Sequence, residues 1–385
     1  MISKTLLGLC TVASSASLVC CVSLLEMPDR YYSDDSTPPS DVTVADASGD
    51  ARTDVATSDA GPDDVRPGVE PSDASPPDAP PSPCGRKDYN CDGRYDLLLF
   101  NEWTGTLVSW ILDGDKLIDT LNIVEPDGTP TRVPRPLTVM TTGKFSANGV
   151  NDLVIHDKAR GTLEIWEMRG RTHVATKTVT AGEGGPPVTK GAAWWATSID
   201  VDGDGNSDLL WHDPAGGRLT TWLMVNEHVV READTAEIGT NSIHELSAGW
   251  VISGTADFDG DSLPDILLVL RQTNETHTFY MKDVLRHSFG YGRLPQDGDV
   301  QKASAPLSQE LEDLGDIDGD GRPEWVWRDA RDGAVIYWRM GDVLPSEVVD
   351  GWPRRDMTQL SWSAIRAIAD NTTALLPAGV RLVRQ

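Results

Sequence analysis

The chain has 385 residues, 39% of them hydrophobic, and a formal net charge of -27, which is enough apolar content for one large core or two smaller ones. So acidic a balance excludes nucleic acid and anionic membrane surfaces as partners, because phosphates would be repelled. It suits a protein that lives with millimolar Ca²⁺ outside the cytoplasm.

Residues 1 to 25 place Lys4 ahead of an uncharged run from Thr5 to Leu25, the order of a secretory signal. An uncleaved membrane anchor is the alternative, since the run is long enough to cross a bilayer. Leu18-Val19-Cys20-Cys21 resembles a bacterial lipoprotein cleavage box with Cys21 or Cys20 as the acylated residue. It departs from that pattern in lacking a small residue just before the Cys. Residues 26 to 83 form the next segment. From 28 onward it holds 11 of the chain's 25 prolines and 13 acidic side chains against three Arg. A stretch with so little apolar surface cannot offset its ordering entropy, so it reads as a disordered, self-repelling tether. A partner-binding tail is the alternative. Cys84 and Cys91 stand seven apart and can close a small disulfide in an oxidising compartment; two free thiols are the alternative.

From Cys84 to Gln385 one pattern recurs. Its clearest form is Ile199 to Asp213, IDVDGDGNSDLLWHD, with carboxylates at Asp200, Asp202, Asp204 and Asp208 and Gly205 in the bend. Four carboxylates packed into nine residues repel one another, and at neutral pH a cation relieves that more easily than protonation. Hard oxygens at alternating positions ask for Ca²⁺. Solvated Asx-turns without metal are the alternative. Further copies lie at Asp88, Asn90, Asp92 and Asp96, at Asp257, Asp259, Asp261 and Asp265, and at Asp316, Asp318, Asp320 and Glu324. A worn copy keeps Lys144, Ser146, Asn148 and Asp152. Measured at the fifth loop position, the copies are 56, 56, 57 and 59 residues apart.

Each loop runs into an apolar strand (96 to 100, 152 to 155, 208 to 211, 265 to 270, 324 to 327). A turn follows, marked by Gly105, Gly161, Gly217 and Gly333, and then a strand of period two. Less regular residues lead to a strand feeding the next loop, such as 194 to 199 or 250 to 256. Four-stranded units repeated in series describe an all-β chain, a β-propeller of about six blades, five to seven being compatible with the counting. In the tail, 362 to 369 takes the place of a strand before a loop and 375 to 383 that of a hairpin, as in a sixth, degraded copy. Because the first copy lacks a strand ahead of Asp88, the tail can instead complete the first blade and close the ring. Trp110, Trp166, Trp222, Tyr280 and Trp338 occupy one place per repeat. That regularity favours a core ring between blades; sugar-stacking platforms are the alternative.

The loops at 200 to 208 and 316 to 324 resemble the DxDxDGxxD calcium loops of the FG-GAP or VCBS repeat family, and LLWHDPAGGRLTTWLM is similar to bacterial VCBS blades. The resemblance covers 84 to 385. It implies that side chains at loop positions one, three, five and nine and the carbonyl of position seven bind Ca²⁺. About four structural ions would then be held. The first would use Asp88, Asn90, Asp92, Asp96 and the Arg94 carbonyl. The next would use Asp200, Asp202, Asp204, Asp208 and the Asn206 carbonyl. A third would use Asp257, Asp259, Asp261, Asp265 and the Leu263 carbonyl, with Ser262 replacing the bend Gly. The last would use Asp316, Asp318, Asp320, Glu324 and the Arg322 carbonyl. In the worn copy Lys144 stands where the first ligand should be, and its ammonium can substitute for the ion.

His156 and His212 each precede an Asp at equivalent places, but repetition speaks against a catalytic role, and no GxSxG, HExxH or phosphate-cradling loop occurs. The sequence therefore calls for no enzyme. Its reading is an exported, monomeric protein, a cell-surface or outer-membrane lipoprotein or a secreted one, whose calcium-stabilised propeller binds a surface protein or glycan. The alternative is a carbohydrate-active protein: a lectin, or a lyase or hydrolase of polysaccharides.

Overall fold

The computed structural model describes residues 85 to 385 apart from 86, 148 to 150, 238 to 244, 294 to 304, 346, 350 to 351, 368 to 370, 378 and 385. The chain divides into two units, Met1–Ala74 and Ser75–Gln385, and all described residues belong to the second. The signal segment, Cys20 and Cys21, the linker of 26 to 83 and Cys84 lie outside the described residues.

The described residues form strands and no helix, arranged as five four-stranded antiparallel blades of a β-propeller. Blade two runs outward through Leu137–Gly143, Asp152–Asp157, Leu163–Arg169 and Thr172–Thr178. Blade three uses Trp195–Ile199, Asp208–His212, Leu219–Val225 and His228–Asp234. Blade four uses Trp250–Ala256, Asp265–Leu270, Glu275–Lys282 and Leu285–Gly290. Blade five uses Gln309–Gly315, Glu324–Asp329, Val335–Val343 and Met357–Ala364.

Blade one is assembled from both ends of the propeller. Its outer three strands are Leu97–Asn101, Leu107–Asp113 and Lys116–Asn122, and its innermost strand is Val380–Leu382, paired with Leu97–Asn101. The tail thus closes the ring, as one of the two sequence readings has it. The other reading of the tail is corrected. Trp362 belongs to the outer strand of blade five, paired with Trp338, because the long third strand of that blade still needs a partner for its free edge. The tail is therefore no sixth blade.

The second strands read as nearly unbroken apolar runs because both of their faces are buried between neighbours. Leu98 and Phe100 pack on Val139, Leu153 and Ile155 of blade two, while Leu97 and Leu99 pack on Val326 and Tyr337 of blade five. Equivalent apolar layers join blades two and three, three and four, and four and five. Each interface takes one aromatic wedge from a third strand. Trp110, Trp166, Trp222 and Trp338 are 7%, 7%, 4% and 5% exposed, so they are core and not sugar platforms. In blade four the equivalent residue is Phe279, opposite Ile266 as Trp222 is opposite Leu209. Tyr280 sits one position further, which corrects its assignment from sequence spacing.

The turn glycines do more than reverse the chain. Gly217, with φ 73°, lies where the strand-to-blade connection crosses it, so that a methyl there would overlap the Leu246 carbonyl. Gly105, Gly161 and Gly333 meet Val133, Lys190 and Leu376 in the same way. In each case the crossing residue's N–H donates to the glycine carbonyl at 2.8 Å. Leu376 on Gly333 is the copy that steers the tail towards blade one.

Candidate metal centres and a central pit

Every acidic loop leaves the end of an innermost strand and enters a second strand, except the first, which enters blade one directly. All of them therefore lie on one face of the disc. Their internal wiring repeats. The carboxylate at position one accepts from the N–H of position six: Gly93 to Asp88 at 2.8 Å, Gly205 to Asp200 at 3.0 Å, Ser262 to Asp257 at 2.9 Å, Gly321 to Asp316 at 3.0 Å. Positions three and five each accept from the N–H two residues on, as Asp204 to Asp202 at 3.2 Å and Asn206 to Asp204 at 2.7 Å. Position six is left-handed in all four, with φ of 84° at Gly93 and Gly205, 86° at Gly321 and 72° at Ser262. Ser262 thus holds a backbone shape that favours glycine.

Position nine is the clasp between loop and sheet. Asp208 takes the N–H of Val201 on one oxygen at 3.1 Å and that of Met224 on the other at 2.8 Å. Asp96 does the same with Tyr89 and Leu112, and Asp265 with Phe258 and Met281. The third strand bulges at this point, between Leu223 and Met224 for example, which turns an N–H out of the ladder towards the carboxylate. In the worn copy Asp152 keeps the same clasp, to Phe145 and Met168. The sheet contact thus outlasts the acidic cluster.

The structure brings together the carboxylates of Asp200, Asp202 and Asp204, those of Asp316, Asp318 and Asp320, and those of Asp257, Asp259 and Asp265, each set with ligand atoms within 4.8 Å of one another. His287 joins Asp259 and Asp261 in the same sense; no sequence spacing points to it. One oxygen each of Asp200, Asp316 and Glu324 is buried without a hydrogen-bond partner. Buried acceptors are almost always satisfied, so these atoms fit a cation held by the loop. Burial, with neighbouring carboxylates adding, pushes Asp96 and Asp208 up to about 7 and Asp265 and Glu324 up to about 8, against the pull of their backbone donors.

The four loops are not equal. Arg339 pairs with Asp318, and Arg355 pairs with Asp259, so an ion at those loops competes with a guanidinium at position three. Among the described residues no such pairing touches Asp200, Asp202 or Asp204. In the first loop Asp88, Asp92 and Asp96 are wired like the others but form no carboxylate triad. Lys144 of the worn copy binds Ser207 of the next loop through its backbone and brings its Nζ to the edge of Gly205. Asn148 lies outside the described residues. Cys91 is disulfide-bonded. His156 and His212 are buried, and His156 is bonded to the Lys190 carbonyl at 3.1 Å.

The opposite face carries a feature that the sequence reading misses. The starts of the five innermost strands surround a cavity of about 520 Å³, around which Arg271, Arg328, Arg381 and Arg384 meet Glu102, Glu310 and Glu312. The indole of Trp195, 45% exposed, lines it, and that of Trp103, 67% exposed, stands at its rim against Gly379. Arg328 stands at the repeat position of His156 and His212, and Glu102 and Arg271 share another, but the residue type changes from copy to copy and Arg381 and Arg384 lie in the tail, so the repeat alone does not mark the pit. Deeper on the axis, Lys87 and Asp313 form a fully buried pair at 2.5 Å. The ammonium also donates to the Val383 carbonyl at 2.7 Å and the Tyr95 hydroxyl to Asp313 at 2.8 Å.

No protein-family model and no curated protein matches the chain. Among solved structures it is similar to a lectin of Agrocybe aegerita described by its recognition of non-reducing terminal N-acetylglucosamine, at 11% identity over 71% of this chain and 68% of that one, with a TM-score of 0.34. It is also similar to the V. cholerae biofilm matrix protein Bap1, at 13% identity over 67% of this chain and 38% of that one, TM-score 0.23. A third likeness is to TcdB2-TccC3, at 14% identity over 64% of this chain and 12% of that one, TM-score 0.26. At such identities and scores none of these likenesses assigns this chain a ligand.

Proposed function

We propose that this is an exported binding module of the FG-GAP or VCBS type, a calcium-stabilised propeller held at the bacterial cell surface by its acidic, proline-rich tether and an N-terminal anchor. The observation that supports it most is the wiring of the acidic loops. Four of them repeat one hydrogen-bond scheme, and in two of them buried carboxylate oxygens, one each of Asp200, Asp316 and Glu324, have no hydrogen-bond partner. Asp88, Asn90, Asp92 and Asp96 would hold one ion, and the loops beginning at Asp200, Asp257 and Asp316 one each, with the carbonyls of Arg94, Asn206, Leu263 and Arg322 completing them. Ca²⁺ would supply the positive charge that lets these loops stay ionised and folded, and the chain's part is to orient the oxygens.

The partner is a surface protein or a glycan. The glycan reading has an observation of its own, the two exposed indoles at the central pit, because an indole face is the usual platform for a sugar ring. Capture from envelope extracts and from a glycan array by the purified protein, in Ca²⁺ and in EDTA, separates the two. We expect retention in Ca²⁺ and at least a tenfold loss in EDTA; retention of nothing in either condition contradicts the binding-module reading.

A further inference from the structure

We propose that the central pit opposite the acidic loops binds an acidic saccharide, with Arg271 taking the carboxylate and Trp195 stacking against the sugar ring. This rests on the glycan reading above and adds to it a place on the molecule and a ligand charge.

The pit is the one place named so far where a chain of net charge -27 gathers four arginines against three glutamates. Two of the four are neutralised locally: Arg328 pairs with Glu310 and with Glu312, and Arg381 pairs with Glu102 at 2.7 Å. The other two form no ion pair among the described residues, although Glu312 and Asp313 still act on Arg384. Among the described residues Arg271, which is exposed, makes no side-chain hydrogen bond or ion pair. Arg384 donates only to carbonyls, Ile252 at 2.9 Å and Leu311 at 3.1 Å, bridging the innermost strands of blades four and five. A guanidinium at the pit that pairs with no carboxylate, such as that of Arg271, raises the local potential, and a bound anion would answer it. Burial, with repulsion from Arg381, brings Lys158 beside the pit down to about 8, in keeping with a positive mouth.

The shape argues for a sugar. Trp195 presents a flat apolar plate, 45% exposed, with Lys158 Nζ over its ring at 4.9 Å and the Arg381 guanidinium over it at 5.9 Å. A uronic or sialic acid has one apolar C–H face and one carboxylate, and so matches an indole plate in a pit that also holds an unpaired guanidinium. The cavity falls in the range of small-ligand pockets, roughly 300–1,000 Å³. The acidic loops on the far face repel the same ligand and leave the pit as its landing place.

The test is calorimetry or array binding of the intact protein, in Ca²⁺, with trigalacturonate, a hyaluronan tetrasaccharide and sialyllactose, each beside its neutral methyl ester. We expect at least one acid to bind at least tenfold more tightly than its ester. That preference should weaken with added salt and disappear in Arg271→Ala, whose melting temperature should not move because the side chain holds nothing. Trp195→Ala should lose acid and ester alike. Equal binding of acids and esters overturns the ligand class while leaving a lectin, and an acid preference that survives Arg271→Ala overturns the role given to Arg271. Binding of none of the six probes overturns the proposal, and an envelope protein still captured in that case keeps the binding-module reading.

Discussion

In excess EDTA the protein is expected to melt on the order of 10 °C lower than in millimolar Ca²⁺, the size of shift that several sites filled well above their dissociation constants produce in a domain of this length. The pH dependence carries the sharper sign. Without an ion, Asp96 and Asp208 hold their protons up to about pH 7 and Asp265 and Glu324 up to about pH 8, where the same side chains have ordinary values of 3.8 and 4.5. The folded state therefore binds these protons more tightly than the unfolded one. Their contribution is complete below the unfolded values and is lost as pH rises through the folded ones. Buried His156 and His212, held below the ordinary 6.5 by burial, act the other way, but only up to about that pH. Lys158, brought down to about 8, also acts the other way but only above that pH, so between pH 6.5 and 8 the melting temperature in EDTA should fall. In excess Ca²⁺ the ion takes the place of the protons and the fall should vanish. A melting temperature in EDTA that rises over this window, or curves that coincide with and without Ca²⁺, would contradict the cation reading.

The second large effect concerns closure. Removing residues 378 to 385 takes away the innermost strand of blade one and, with it, more than three residues of pairing. Val383 donates to Leu98 at 2.8 Å, and the Arg384 carbonyl accepts from Thr142 of blade two at 3.2 Å. Lys87 also loses the Val383 carbonyl while its ammonium stays buried with Asp313. A propeller open at one blade exposes a strand edge and one apolar face of each flanking blade. The truncated protein is expected to lose its cooperative thermal transition and to bind a hydrophobic dye at room temperature. A truncated protein that melts cooperatively within about 2 °C of the full chain would show that the tail is ornament.

Much of this plan is legible in the residues because the repeat imposes it. The loop spacing marks the blades, and the turn glycines mark hairpins. The absent strand ahead of Asp88 points to a tail that returns. The count of five had to come from the structure, since nothing local in the stretch from Trp362 onward distinguishes a fresh inner strand from an outer strand pairing with Trp338. Tyr280 was misplaced because two aromatics stand side by side there: spacing from one aromatic to the next admits either, whereas Phe279 follows Asp265 at the same interval as Trp222 follows Asp208 and is the one paired with Ile266. Within the loops the residue types announce oxygen ligands. The competition from Arg339 and Arg355, the approach of His287 and the second task of position nine as a clasp all come from other strands and leave no mark on the motif. The pit is the extreme case, because Arg271, Arg328 and Arg384 come from three parts of the chain and meet only once the ring is closed.

The most direct measurement is the number of calcium ions bound per chain, by equilibrium dialysis of the purified protein at pH 7.5 against radiolabelled Ca²⁺ up to 1 mM. About four ions should be retained, and Asp200→Ala combined with Asp204→Ala should remove one while the other loops stay filled. No retained Ca²⁺ at 1 mM, or a stoichiometry untouched by that double substitution, would mean that the acidic loops are held by their own hydrogen bonds alone.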